Sequence, residues 1–176
     1  MPADARIRRI AILGAESSGK STLAAALAAR YGTLWVPEYL REFVETHGRT
    51  PCEHEQHDIA RIQVQREDAC ALHATRFLFC DTTPVMTALY SRFYWNRVDQ
   101  RLAALAGERR YDMTLVTLPD MPWIADGMQR ESDEVRHTIH AMLLATLEEQ
   151  GIRYELVCGS EAKRLATAAS LLERLL

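Results

Sequence analysis

No stretch of the 176-residue sequence approaches the roughly 18 consecutive apolar residues that a membrane-spanning helix needs. The charged N-terminus also lacks the apolar core and small-residue cleavage site of an export signal. The expected protein is therefore neither exported by a signal peptide nor membrane-bound. Four cysteines, Cys52, Cys70, Cys80 and Cys158, are scattered with no CxxC pair, so they outline neither a disulfide framework nor a zinc site. A reducing cytoplasm is the expected compartment. Basic residues are not in excess: 21 Lys and Arg against 24 Asp and Glu leave a net charge of −3 with the signs interspersed. That balance argues against a nucleic-acid surface and for a small-molecule partner. No internal repeat, low-complexity tract or second domain boundary is visible, so residues 1–176 read as one domain. Cys52-Glu53-His54-Glu55-Gln56-His57-Asp58 is the one cluster of metal-ligating residue types, but with no specified fourth ligand it reads better as the polar start of a helix.

What the sequence does contain is organised around Gly14-Ala15-Glu16-Ser17-Ser18-Gly19-Lys20-Ser21-Thr22. The apolar run Ile10-Ala11-Ile12-Leu13 precedes it and the helix-forming Leu23-Ala24-Ala25-Ala26-Leu27-Ala28 follows. Strand, glycine-bounded loop, Lys-Ser and helix in that order make a phosphate-binding loop of the nucleotide triphosphatase fold. Its glycines let the backbone curl so that successive N–H groups point at the phosphates. The helix N-terminus adds its dipole and unpaired N–H groups. Lys20 is placed to bridge the β- and γ-phosphates, and Ser21 to offer its hydroxyl to Mg²⁺.

Downstream, Thr33–Val36, Phe77–Thr82, Met113–Leu118 and Arg153–Cys158 read as further strands, with helical segments between them and a closing helix over Glu161–Leu176. The third strand is too uniformly apolar to have a solvated face, as in parallel strands buried on both sides. Alternating strands and helices predict an α/β fold: a five-stranded parallel sheet, right-handed crossovers and helices on both faces. Gly32 and Gly151 are placed to stop helices, and Ser132 to start one.

Ligands of such sheets lie beyond the carboxyl ends of the strands. Glu38, Asp81 and Asp120 follow strands two, three and four, so they should rim one crevice with the phosphate loop. Asp81 suits Mg²⁺ opposite Ser21; the alternative is an N-cap for the next helix. Glu38 suits an orienting group or base for an acceptor hydroxyl; the alternative is an acidic residue favoured by the first turn of a helix. Tyr39, Arg41 and Glu42 share that ambiguity, with Arg41 the best placed of them as a substrate contact. The long segment Pro119–Arg130 reads as a lid loop. Within it Trp123 offers a stacking surface, or simply packs on the domain, and Asp126 a hydroxyl or cation partner. Arg130, with Arg136, offers a charge clamp for a phosphoryl group in flight. The adenine contacts are expected near Gly159-Ser160.

Gly14 to Thr22, Pro37-Glu38-Tyr39-Leu40-Arg41-Glu42, Phe79-Cys80-Asp81-Thr82, and Tyr111-Asp112-Met113-Thr114-Leu115 running into Pro119-Asp120-Met121-Pro122-Trp123-Ile124-Ala125-Asp126-Gly127 together resemble the ribosylnicotinamide kinase domain of the NadR family. The phosphate loop is shared by thousands of unrelated proteins; the Pro-Glu-Tyr block and the Pro-Trp lid carry the specificity. The resemblance implies a nucleoside-kinase-like P-loop fold with strand order 2-3-1-4-5, ATP and Mg²⁺, and γ-phosphoryl transfer to the 5′-hydroxyl of nicotinamide riboside. Two departures stand out. The phosphate loop starts at Gly14, leaving no room ahead of it for the adenylyltransferase domain of longer relatives. Ala125 replaces an expected acidic residue of the lid, and Met128-Gln129-Arg130 blurs the position of the lid arginine.

Other functions fit the loop as well. A regulatory ATP-binding protein or ATPase without a phosphorylated product would also need it, as would a kinase of another nucleoside or nucleotide. A guanine-specific switch is disfavoured, because the only asparagine is Asn96, followed by Arg97, where such proteins use Asn-Lys-x-Asp.

Overall fold

The computed structural model describes residues 6–124 and 132–176. Five strands, β1 (Arg8–Leu13), β2 (Leu34–Val36), β3 (Phe77–Asp81), β4 (Met113–Thr117) and β5 (Glu155–Val157), alternate with helices α1 (Lys20–Tyr31), α2 (Tyr39–His47), α3 (Gln56–Ala71), α4 (Pro84–Trp95), α5 (Gln100–Glu108), α6 (Asp133–Glu149) and α7 (Glu161–Glu173). All strand pairs are parallel, in the order β2-β3-β1-β4-β5. The expected α/β architecture and strand order are both present.

Strand alternation explains the layers. Ile10, Ile12, Phe77, Phe79, Leu115 and Val157 face α1 and α7, whereas Ala11, Leu13 and Val116 face α4 and α6. Residues 77–81 are buried throughout, as a central strand covered on both sides requires. Tyr31 closes one end of the first layer, its ring 5.0 Å from that of Phe77 in an edge-on contact.

The helix boundaries follow from local chemistry. Gly32 ends α1 in the left-handed conformation, φ 60°, which costs a glycine no Cβ clash. Ser132 Oγ accepts from Val135 N at 3.2 Å and starts α6. The other end of α6 is a Schellman turn: Ile152 N donates to Leu147 O and Gly151 N to Glu148 O, with Gly151 at φ 65°. The Cys52–Asp58 stretch expected to start a helix opens with a 3-10 turn, Glu53–Glu55, ahead of α3, and the Glu55 carboxylate accepts from Cys52 N at 2.7 Å. Among the described residues no group of His, Cys, Asp and Glu there or elsewhere is arranged to hold a metal, and no helix is long and apolar enough to cross a membrane.

Candidate active site

The loop between β1 and α1 curls because two of its residues adopt left-handed backbone angles, Ser17 at φ 52° and Gly19 at φ 81°. At Gly14 the need is for space, since a Cβ there would collide with Thr117 Oγ1 and lie 2.6 Å from Ser18 Oγ. Ser18, fully buried, donates to Ala15 O at 2.6 Å and lies 2.7 Å from Thr117 Oγ1, tying the loop to the end of β4. Lys20 Nζ rests on Ala15 O at 2.9 Å. The ammonium thus lies folded over the loop that it is expected to serve.

Asp81 ends β3 and is wholly buried. Its Oδ2 accepts from Ser21 Oγ at 2.5 Å, and its Oδ1 has no hydrogen-bond partner among the described residues. A buried carboxylate oxygen left without a donor is costly unless something else occupies it. A hydroxyl and a carboxylate side by side are also the oxygen donors that Mg²⁺ prefers, so this pair fits the ion. The N-cap alternative for Asp81 is not realised, because Thr83 holds the N-cap position of α4 and Pro84 its first helical position.

Glu38 precedes α2 but makes no side-chain cap to it. Its Oε1 instead accepts from Thr82 Oγ1 at 3.2 Å. Thr82 holds φ 68°, a conformation that a β-branched residue adopts only under constraint; such outliers gather at functional sites. Burial raises the Glu38 pKa above its ordinary value; the neighbouring Asp81 carboxylate adds to the rise, while Lys20, Arg41 and the Thr82 hydroxyl oppose it. Gln63, buried on α3, joins the two segments, accepting from Tyr39 N at 2.8 Å and donating to Asp81 O at 3.3 Å.

Gly14, Glu16, Ser17, Lys20, Glu38, Leu40, Arg41, Thr82, Met86 and Tyr90 line one recess. Of the residues singled out in the sequence, the recess gathers Gly14, Glu16, Ser17, Lys20, Glu38 and Arg41, and it adds Leu40, Thr82, Met86 and Tyr90. Tyr39 lies elsewhere: its ring sits beneath the Arg66 guanidinium, 4.6 Å from centroid to carbon, and Arg66 also forms paired hydrogen bonds to Glu42. Trp123 is 37 % exposed, and the adjoining Ile124 carbonyl accepts from Ser17 Oγ at 3.0 Å, so the base of the lid segment touches the loop. The readings of Asp126 and Arg130 lie outside the described residues.

Arg136, expected as part of a phosphoryl clamp, is buried and committed to protein groups. It donates to Ser17 O at 3.2 Å and Met121 O at 2.9 Å and pairs with Asp133 at 2.5 Å. Arg164 was not singled out in the sequence, yet it has a similar place. It is 2 % exposed and donates to Ser18 O, to Leu118 O at 2.9 Å, to Gly159 O at 2.8 Å and to Asp120 Oδ1. Asp120 Oδ2 in turn accepts from Gly159 N at 2.7 Å. Burial alone would raise the Asp120 pKa, but the Gly159 amide and the Arg164 guanidinium hold it below the usual range. The sequence did carry a signal for both arginines. Arg164 shares a helix face with Ala168 and Leu172, and Arg136 with Ile139, Leu143 and Leu147, so each is a charge on an apolar stripe. Beside Arg164, a cavity of about 230 Å³ is lined by Gly19, Thr22, Met121, Glu161, Ala162 and Leu165 among others, next to the Gly159-Ser160 turn.

A family model described as an AAA domain matches residues 9–164. The chain belongs to that family. It is also 33 % identical over 153 residues to the trifunctional NAD biosynthesis/regulator proteins NadR of Escherichia coli K12 and Salmonella typhimurium LT2, covering 84 % of this chain and 37 % of each relative. The chain thus spans little more than a third of the length of these relatives. Among solved structures, NadR protein in complex with NR superimposes with a TM-score of 0.78 at 21 % identity, covering 96 % of this chain and 51 % of that one. Thymidylate kinase from Candida albicans does so with a TM-score of 0.67 at 16 % identity, covering 96 % and 92 %. The motif resemblance to the NadR family therefore agrees with the relatives found, and the fold is that of P-loop kinases.

Proposed function

We propose that this chain is an ATP-dependent small-molecule kinase that transfers the γ-phosphoryl group to the 5′-hydroxyl of a nucleoside, with nicotinamide riboside as the acceptor. The observation that carries the reading is the hydrogen bond of Ser21 to the buried Asp81 carboxylate, beside a recess in which Lys20 and Glu38 share the lining with the phosphate loop. The loop amides and the start of α1 cradle the phosphates, and Lys20 leaves Ala15 O to meet the β- and γ-oxygens. Ser21 and Asp81 would hold Mg²⁺, which neutralises charge developing on those oxygens. Glu38 orients the acceptor hydroxyl and takes its proton as the oxygen bonds to the γ-phosphorus and the bond to ADP breaks. In this reading Arg41 and Tyr90, which line the recess, and the part-exposed Trp123 contact the nucleoside, and the cavity beside Glu161 and Leu165 takes the donor's base. Four free cysteines and an ATP donor fit a cytoplasmic enzyme.

The identity of the acceptor rests on the Pro37–Glu42 block, the Pro-Trp segment and the NadR relatives. The test is ATP consumption with and without a panel of nucleosides, with products identified by mass. Turnover that requires nicotinamide riboside and yields its monophosphate supports the reading. Acceptor-independent hydrolysis would point to a regulatory ATPase, and preference for another nucleoside would replace the acceptor.

A further inference from the structure

A backbone that points its N–H groups into a phosphate nest must point carbonyls outward, and those carbonyls need donors once buried. Two consecutive outward carbonyls, Ser17 O and Ser18 O, each receive a guanidinium: Arg136 from α6 and Arg164 from α7. Both side chains are almost completely buried, at 3 % and 2 % exposure. Each also anchors a second segment, Arg136 through Met121 O and Arg164 through Leu118 O, Gly159 O and Asp120. The two therefore connect the back of the loop to the β4 and β5 ends, from opposite faces of the sheet.

We propose that Arg136 and Arg164 are positioning residues that brace the phosphate nest from behind, holding its amides aimed at the triphosphate before any ligand arrives. Both guanidiniums are engaged by protein carbonyls, so on this proposal they act through the loop and not on the reacting atoms. The left-handed angles at Ser17 and Gly19 flank Ser18; the serine side chains tie the loop to Ala15, Thr117 and Ile124, while the two guanidiniums hold the Ser17 and Ser18 carbonyls and so fix the direction in which the amides point. A planar fork is suited to the task because it reaches two or three acceptors at once, which an ammonium cannot do in one plane. Arg164 goes furthest, joining the loop, the β4–lid junction and the β5–α7 turn through a single side chain. Gly19 packs against it, so that a Cβ there would approach Arg164 Nη1 to 3.3 Å.

This inference rests on the phosphate-loop reading, and binding of inorganic tripolyphosphate by the unaltered protein tests that reading separately. Tripolyphosphate probes the nest without a base or ribose. The experiment compares ATP and tripolyphosphate affinity, melting temperature and amide hydrogen exchange of the ligand-free protein for Arg164→Lys, Arg136→Lys and Asp120→Asn. We expect each lysine variant to lose about tenfold in affinity for both ligands alike, since hydrogen bonds made by charged donors are the stronger class. Exchange over residues 14–20 should rise in the ligand-free protein while β1 stays protected. Asp120→Asn, at a partly exposed position that needs no core repacking, should show the same pattern at about threefold. Weakened ATP binding with unchanged tripolyphosphate binding would assign Arg164 to the base cavity and overturn the proposal. A lower melting temperature with both affinities and loop exchange unchanged would overturn it too, leaving the arginines as packing groups.

Discussion

Ser21 Oγ donates to Asp81 Oδ2 at 2.5 Å, joining the first turn of α1 to the tip of a strand sixty residues later. With Asp81 Oδ1 buried and lacking a hydrogen-bond partner among the described residues, the pair is a half-built oxygen site. Asp81→Asn keeps the shape and removes the charge. The gain in nucleotide affinity on adding Mg²⁺ should therefore fall by at least about tenfold, and turnover should drop with any acceptor. Calorimetry of ATP with and without Mg²⁺ decides it; an unaltered Mg²⁺ dependence would remove Asp81 from the metal site.

Among the described residues Lys20 hydrogen-bonds a loop carbonyl and its charge faces Glu38, so its ammonium holds no part of the apolar core. Lys20→Ala should abolish triphosphate turnover while circular dichroism and melting temperature stay close to those of the parent. Full turnover in the folded variant would contradict the phosphate-loop assignment.

Glu38 is the group whose role pH can expose. Its pKa lies above the ordinary carboxylate value of 4.5, chiefly through burial and then through Asp81. If the ionised form takes the acceptor's proton, kcat/KM should fall on acidification along a limb centred above pH 4.5. Glu38→Gln should remove that limb and lower kcat by about 10², the low end for a positioned base in a reaction with a loose transition state. Stability should move the other way. A carboxyl whose pKa is raised on folding favours the folded state below its unfolded pKa, and that advantage is lost as pH climbs through the folded value. At pH 7, well above the unfolded value, a Glu38 whose pKa is raised therefore burdens the fold, and Glu38→Gln should melt higher there than the parent, with no gain near pH 4. Equal melting at pH 7 combined with an unchanged acid limb would make Glu38 a bystander.

The loop, the carboxylates at the strand ends and the five strands were legible because each is written in consecutive residues: a glycine spacing, an apolar run, a charge at its tip. Strand order was not readable from periodicity and came from family resemblance. The groups that sequence reading missed act across long separations. Arg164 meets Ser18 over 146 positions, and Gln63 joins Tyr39 to Asp81 across two loops. Arg136 was noticed, but for charge alone; the apolar residues that follow it on α6 were the sign that its guanidinium turns inward. Tyr39 sits in the motif block, yet the helical turn carries its ring toward Arg66, and Leu40 and Arg41 take the recess.

Trp123 separates a stacking role from a packing role. It is 37 % exposed and has no ring partner among the described residues, so much of the indole faces outward beside the loop. Trp123→Ala should raise the acceptor KM several-fold and leave that of ATP near its parent value, as expected for an aromatic contact worth about 0.5–1.5 kcal/mol. A fall in melting temperature with the acceptor KM unmoved would identify it as a packing residue.

The other end of the sheet offers a control on stability that leaves the chemistry alone. Glu67 on α3 is wholly buried, accepting from Arg109 Nε at 3.1 Å and Nη2 at 2.9 Å and from Tyr111 Oη at 3.0 Å. Arg109 also pairs with Asp68 at 2.8 Å, as does Arg9. Burial raises the Glu67 pKa even against these partners. Arg109→Met would leave the carboxylate buried without its main counter-charge, a loss of about 3–5 kcal/mol. The exposed Arg66–Glu42 pair forms two hydrogen bonds at 2.6 and 2.8 Å, yet Arg66→Met should cost no more than about 1 kcal/mol, because water screens the pair. Removing Arg109 should push the Glu67 pKa up further, so protonation relieves the variant as pH falls. The gap in unfolding free energy between Arg109→Met and the parent should accordingly be widest at pH 8 and narrow toward pH 5, while kcat of the folded fraction is unchanged because Arg109 lies at the amino ends of β1 and β4. Denaturant unfolding at the two pH values measures the gap; equal costs for Arg109→Met and Arg66→Met, or a gap that widens in acid, would show that Glu67 is not held as a buried charge.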